Sequence, residues 1–301
     1  MLWANNFTAP REPTYSTVNF RHIGGYEEIK EALRLKMLYP LKNPDLARAY
    51  GSKTGGSVLL YGPSGCGKSL MAEAIAGECH AGYIHVGLHE LLDPTLGSPE
   101  RNLHQLFDFA RSNTPAILVI DHVECLAMNR KAVSDMRSRY IVNQLLEELD
   151  FCIPGNEGLL VVGITDEPWA IDPAALRPGR FSQTLFMGAP DRAQRETIIR
   201  LVAAERPVTD IDVLLLAEKT KGFTGADLEA LFNTASESCM SRAWSSGDIC
   251  PVSMSDLLAA LKQVSLSEHL WKARAEEMID EGSFNSSKSF KGLEDYLGSR
   301  E

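Results

Sequence analysis

An apolar run, Val58-Leu59-Leu60-Tyr61, breaks into Gly62-Pro63-Ser64-Gly65-Cys66-Gly67-Lys68-Ser69 and then into the helical stretch Leu70-Met71-Ala72-Glu73-Ala74-Ile75-Ala76. A strand that ends in glycines and turns straight into a helix leaves several backbone N–H groups unpaired and pointing one way. They form an anion cradle at the positive end of the helix. In the G-x-x-x-x-G-K-[ST] pattern Lys68 reaches the β- and γ-phosphates of a nucleotide, and the Ser69 hydroxyl is placed to ligate Mg²⁺. Pro63, Ser64, Gly65, Cys66, Gly67, Lys68, Ser69 and Leu70 are therefore the expected nucleotide-binding loop. A Gly-rich turn with a chance lysine would require neither the strand before it nor the helix after it.

The chain has 301 residues, 44% of them hydrophobic, enough for a large α/β domain and a smaller one, each with its own core. Forty acidic residues against 30 basic ones give a net charge of −10, which disfavours non-specific attraction to nucleic acid or anionic membrane. Six scattered cysteines, one inside the phosphate loop, show neither C-x-x-C pairing nor zinc spacing, so a reducing, cytoplasmic setting is expected. No apolar stretch has the length of a membrane span, and residues 1–14 lack the apolar segment of a secretory signal. His80, His85, His89 and His104 have no metal-ligand spacing and read as ordinary histidines.

Apolar runs at Ser57–Tyr61, Gly82–Val86, Ala116–Asp121, Leu159–Ile164 and Thr184–Met187 predict five short buried strands. Helical patterns at Leu70–Glu78, Asn102–Ser112 and Arg139–Leu149 lie between them, which argues for a mostly parallel sheet covered on both faces. Beyond Pro190 the strand signals stop. Arg192–Glu205, Ile211–Lys219, Thr224–Arg242 and Ser253–Val264 have helical spacing, with Thr224 and Ser253 as N-caps and Asp227 and Asp256 three residues on. The expected organisation is an extended arm (1–18) that contacts a neighbour or an upstream segment, a large nucleotide-binding subdomain (19–190), a helical lid (191–266) and a partly mobile tail (267–301). Within the tail, Leu293–Leu297 has a last helical pattern, and Leu270 and Trp271 are expected to pack on the lid or on the next subunit.

Taken in order, Ile23-Gly24-Gly25, the phosphate loop, the acidic strand end at Ile117–Asp121, Gly163-Ile164-Thr165, Arg177-Pro178-Gly179-Arg180-Phe181 and Gly222–Leu228 resemble the AAA ATPases over about residues 18–266. The resemblance implies a P-loop NTPase fold with a small all-helical lid, bound ATP and Mg²⁺, and a ring, usually hexameric, with ATP at each subunit interface. It also implies turnover used to remodel a protein partner. Asp121 would hold a Mg²⁺-bound water beside Ser69. Adenine would lie between Ile23-Gly24 and the lid at Gly225-Ala226. Arg177 and Arg180 match the family's trans-acting arginines, which stabilise charge at the neighbour's nucleotide.

Several positions depart from the family pattern. His122 stands where the family has a water-activating glutamate, and Asp166 where it has an asparagine facing the γ-phosphate. An imidazole accepts a proton only while neutral, and nearby cations would favour that form; a second anion near phosphate repels. Glu124 is expected to brace the loop. His22 replaces an aspartate before Ile23, and Thr95 and Leu96 stand where many ring remodellers carry a gripping aromatic. Slow intrinsic hydrolysis is the expectation. The alternative is a non-hydrolysing regulatory or structural subunit that donates Arg177 and Arg180 to an active neighbour.

Overall fold

The computed structural model describes residues 12–93, 98–130, 135–150, 156–266, 268–280 and 290–298. Five strands, β1 (Gly56–Tyr61), β2 (Gly82–His85), β3 (Ala116–Ile120), β4 (Leu159–Thr165) and β5 (Gln183–Phe186), form one sheet in the order β2-β3-β4-β1-β5. Every pairing is parallel. All residues of β3 and β4 are buried, which is why these segments read as unbroken apolar runs rather than alternating ones. The five expected strands are all present, each within about two residues of its expected bounds.

The two faces of the sheet feed separate cores. Val58, Leu60, Ile117, Val119, Leu160, Val162 and Ile164 pack on one side with Met71 and Ile75, whereas Leu59, Tyr61, Leu118, Ile120, Leu159 and Val161 pack on the other with Leu106, Phe107 and Leu145. This alternation is the two-residue period of a strand. The helices of this part are α1 (Glu27–Leu33), α2 (Tyr39–Lys42), α3 (Pro44–Ala49), α4 (Lys68–Cys79), α5 (Leu88–Leu92), α6 (Pro99–Ser112) and α7 (Met136–Glu148). Met71 and Ile75 come from α4, Leu106 and Phe107 from α6, and Leu145 from α7.

What is described of the N-terminal arm, from residue 12, lies along β2 and α4 of the same chain. Thr14 bridges to Tyr83 at the β2 edge, and the Ser16 hydroxyl donates to Glu73 on α4 at 2.8 Å. Gly77 of α4 faces the Val18 carbonyl so closely that a Cβ there would overlap it. That contact selects glycine inside a helix in spite of its propensity cost.

After β5 come α8 (Arg192–Ala204), α9 (Val213–Lys219), α10 (Gly225–Ser246) and α11 (Met254–Ala260), which bury Ile199, Leu216, Leu228, Phe232 and Leu257 in a core of their own. Both expected caps are capping boxes: Thr224 with Asp227 opens α10, and Ser253 with Asp256 opens α11. Arg195, buried at the root of the lid, donates to the carbonyls of Pro190 and Ala217, which satisfies its charge-bearing group inside the protein.

The last helices, α12 (Glu268–Asp280) and α13 (Lys291–Gly298), return to the sheet. Ala275, Phe290 and Leu293 join the core on the Tyr61 face. The expected mobile stretch lies mostly outside the described residues.

Candidate nucleotide-binding site

The strand order decides which chain segments meet. Because β4 lies between β3 and β1, the carboxyl ends of these three strands converge, and the residues after them, Asp121, Asp166 and the phosphate loop, share one edge of the sheet. Ligands of open parallel sheets bind at this edge. Gly62 has φ +143°, and a Cβ would run into the Met187 carbonyl; Gly67 has φ +84° and precedes the first residue of α4. These glycines let the loop turn in place and leave the first-turn amides of α4 without intrahelical partners.

Lys68 folds back over the loop. Its ammonium donates to the carbonyls of Gly62 at 2.8 Å and Pro63 at 2.6 Å, and it lies 2.7 Å from Asp166 Oδ1. The Ser69 hydroxyl donates to Asp121 Oδ2 at 3.3 Å, so the two oxygen groups expected at Mg²⁺ are adjacent. The glycine turns, the helix start and this oxygen pair suit a nucleotide triphosphate with its metal.

His122 has a left-handed backbone, φ +50°, and its N–H donates to Asp121 Oδ1 at 3.0 Å. Its Nδ1 lies 3.0 Å from Glu124 Oε1. Glu124 is buried, and its Oε2 has no partner. Partial burial pulls the His122 imidazole toward its neutral form, but the hydrogen bond and charge of Glu124, with the charges of Asp121 and Asp166, outweigh it and raise the pKa. Within the chain itself the charges that act on the ring are those of carboxylates. Glu124 holds the His122 ring through its contact with Nδ1.

A cleft of about 490 Å³ collects Ile23 and Gly24, the loop from Ser64 to Leu70, Asp121, His122, Asp166, and Gly225 and Ala226 of the lid. Pro63 contributes through its carbonyl. The Ala226 N–H donates to the Gly65 carbonyl at 3.1 Å, so the start of α10 docks directly on the phosphate loop. Sequence reasoning missed the apolar wall made by Tyr26 and by Ile198, Leu201 and Val202 of α8, together with Glu229. The i, i+3, i+4 spacing of the three α8 residues was its signal, but that spacing also marks an ordinary core face. Burial pushes the Cys66 thiol up to about 12 against the opposing charge of Lys68, which keeps it protonated.

Arg177 and Arg180 do not line this cleft. Arg177 is exposed at a separate cavity that also holds Arg130, Arg139 and Asp172. Arg180 is half-buried and donates to the Ala174 carbonyl of its own subunit at 2.9 Å. The pair expected to act together is therefore split into one exposed cation and one internally engaged cation. Thr95 and Leu96 lie outside the described residues.

Trp271 requires a correction. Within the chain it packs not on the lid but against Trp169 and Phe186 of the sheet-bearing part, with ring centroids 5.7 and 6.2 Å away. Its indole N–H donates to the Asp166 carbonyl at 2.6 Å. The aromatic faces offered by the large core outcompete the lid, whose own core is closed by Phe223 and Phe232.

A phosphate loop at the carboxyl edge of a parallel five-stranded sheet, closed by a helical lid, defines a P-loop NTPase. The model of the ATPase family associated with various cellular activities (AAA) matches residues 58–189, and that of the AAA+ lid domain matches residues 210–259. The chain belongs to the AAA ATPase family. Similar to it is a protein of Plasmodium falciparum (isolate 3D7) described as a putative cell division cycle ATPase, 37% identical over 227 residues, 75% of this chain and 18% of that protein. The chain thus matches less than a fifth of that relative's length. ATP binding is implied by the family, whose members generally assemble into rings. Among the described residues, no helix is long and apolar enough to cross a membrane.

Proposed function

We propose that this chain is an ATP- and Mg²⁺-binding subunit of a ring, hexameric as is usual for its family, that remodels a protein partner in the cytoplasm and hydrolyses ATP slowly. The observation that carries the reading is the convergence of Lys68, Ser69, Asp121 and the lid residue Ala226 on one loop and one cleft. In such a site the protein mainly positions groups and stabilises charge. The amides of the loop and α4 hold the phosphates, Lys68 neutralises their charge, and Ser69 with Asp121 holds the metal. When bound, Mg²⁺ offsets charge on the β- and γ-phosphates. His122 lines the cleft with Nδ1 tied to Glu124. With Nδ1 donating to that carboxylate, Nε2 is the nitrogen available to accept a proton from water. Arg177, exposed and outside its own cleft, acts on the neighbour's nucleotide.

A second reading rests on a specific contact. Asp166 occupies Lys68, and no carboxylate stands at position 122, which favours a subunit that holds ATP without cleaving it and supplies Arg177 to an active neighbour. Phosphate release across protein concentration, paired with sizing in ATP and ADP, separates the two. Turnover that rises with assembly supports the first reading. ATP-dependent assembly with no phosphate release supports the second, and absence of ATP binding overturns both.

A further inference from the structure

We propose that Trp271 is a positioning residue that sets how strongly Asp166 competes with a terminal phosphate for Lys68; the proposal rests on the nucleotide site described above. The loop after β4 is held from two sides. From within, Thr165 is the last residue in register with Tyr61, and its Oγ1 accepts from the Glu167 N–H at 2.9 Å. From outside, Trp271 of α12 donates its indole N–H to the Asp166 carbonyl at 2.6 Å. This second clamp comes from a helix that follows the lid in sequence, 105 residues further along the chain.

The indole is itself fixed by Trp169 and Phe186. Trp169 lies in the short turn Pro168–Ala170 that continues the same loop, so α12 grips the segment by a ring contact and a hydrogen bond together. A peptide carbonyl held by a hydrogen bond, next to a residue locked in the strand register, restricts rotation about the Cα–C bond and so narrows the directions open to Cα–Cβ. Asp166 consequently presents its carboxylate to Lys68, 2.7 Å away, where it opposes an incoming anion.

A triphosphate brings more negative charge to Lys68 than a diphosphate, because this ammonium serves both β- and γ-phosphates. Loosening the carbonyl should therefore favour the triphosphate selectively. Trp271→Phe keeps an aromatic ring and deletes only the donor, and the loss of one hydrogen bond corresponds to about fivefold in an equilibrium constant.

The test uses the full chain, titrated with Mg²⁺–AMP-PNP and Mg²⁺–ADP as wild type, Trp271→Phe, Asp166→Asn and the double variant. The expected result is that W271F raises affinity for AMP-PNP relative to ADP by about fivefold, and by less than twofold when Asp166→Asn is already present. An unchanged ratio, parallel loss of both affinities with a lowered melting temperature, or an equal effect in the Asp166→Asn background would overturn it. Amide exchange at residues 166 and 167 without nucleotide gives a second readout. It should accelerate in W271F; unchanged exchange overturns the proposal even if wild type binds neither nucleotide, an outcome that separately defeats the nucleotide-site reading.

Discussion

The Lys68 ammonium forms an ion pair with Asp166, 2.7 Å from Oδ1, and donates to the carbonyls of Gly62 and Pro63. Two of the ammonium's three donors go to carbonyls, and its charge is met by the carboxylate before a phosphate arrives. On the proposed reading, a γ-phosphate at Lys68 competes with this carboxylate. Asp166→Asn removes the competing charge at nearly constant shape and is expected to raise ATP affinity about tenfold, the scale of one charged hydrogen-bond partner. Unchanged or weaker binding in a calorimetric titration would show that the carboxylate does not compete.

Lys68→Ala should abolish measurable ATP binding, a loss of about 100-fold or more, because it removes the charge-assisted contact to the phosphates. Retained affinity in the same titration would contradict the assignment of the loop.

His122→Glu should raise kcat by about tenfold or more if general-base strength limits turnover, and no gain at saturating Mg²⁺–ATP would locate the block at Asp166. Glu124→Gln leaves the imidazole less firmly held. It should lower residual kcat by about tenfold with ATP affinity unchanged, and a wild-type kcat would remove Glu124 from any positioning role.

Arg177→Ala should suppress the ATPase of the assembled state while leaving nucleotide binding within about twofold, since this exposed side chain lies outside its own cleft. Arg180→Ala should in addition lower the melting temperature, because it strips the donor from the Ala174 carbonyl. Equal loss of binding and turnover in Arg177→Ala would point to a structural role.

Asp256 tests the lid by pH. Its carboxylate accepts from Arg242 and from Ser253, which hold it well below the usual carboxylate range. A depressed folded pKa contributes stability that is present above the unfolded value of ~3.9 and is lost as pH falls through it toward the folded one. Asp256→Asn should lower the melting temperature by about 2–4 °C at pH 7, with the gap closing below about pH 4. A gap independent of pH would mean that the charge contributes nothing.

Much of this protein was legible in the chain alone, for a local reason. The strands around Leu59, Leu118 and Val161 are short apolar runs, the caps at Thr224 and Ser253 are four-residue patterns, and the phosphate loop is eight consecutive residues. Steric limits on glycine and the periodicities of helix and strand act within a few residues, so sequence carries them directly. The loop residues and the class of fold were therefore within reach, whereas the pairing of Ser69 with Asp121, 52 residues apart, was implied by the family resemblance.

Other features depend on contacts between distant segments. Which acceptor occupies Lys68, which groups surround His122, where Trp271 docks and how Arg177 differs from Arg180 all follow from placing β4 between β3 and β1 and from returning α12 to the sheet. The fit of Ile198, Leu201 and Val202 against the nucleotide cleft is of the same kind. Sequence determined the local geometry able to hold a triphosphate, whereas tertiary structure decided which charges compete for it, because strand order and packing bring together residues whose spacing along the chain carries no record of their meeting.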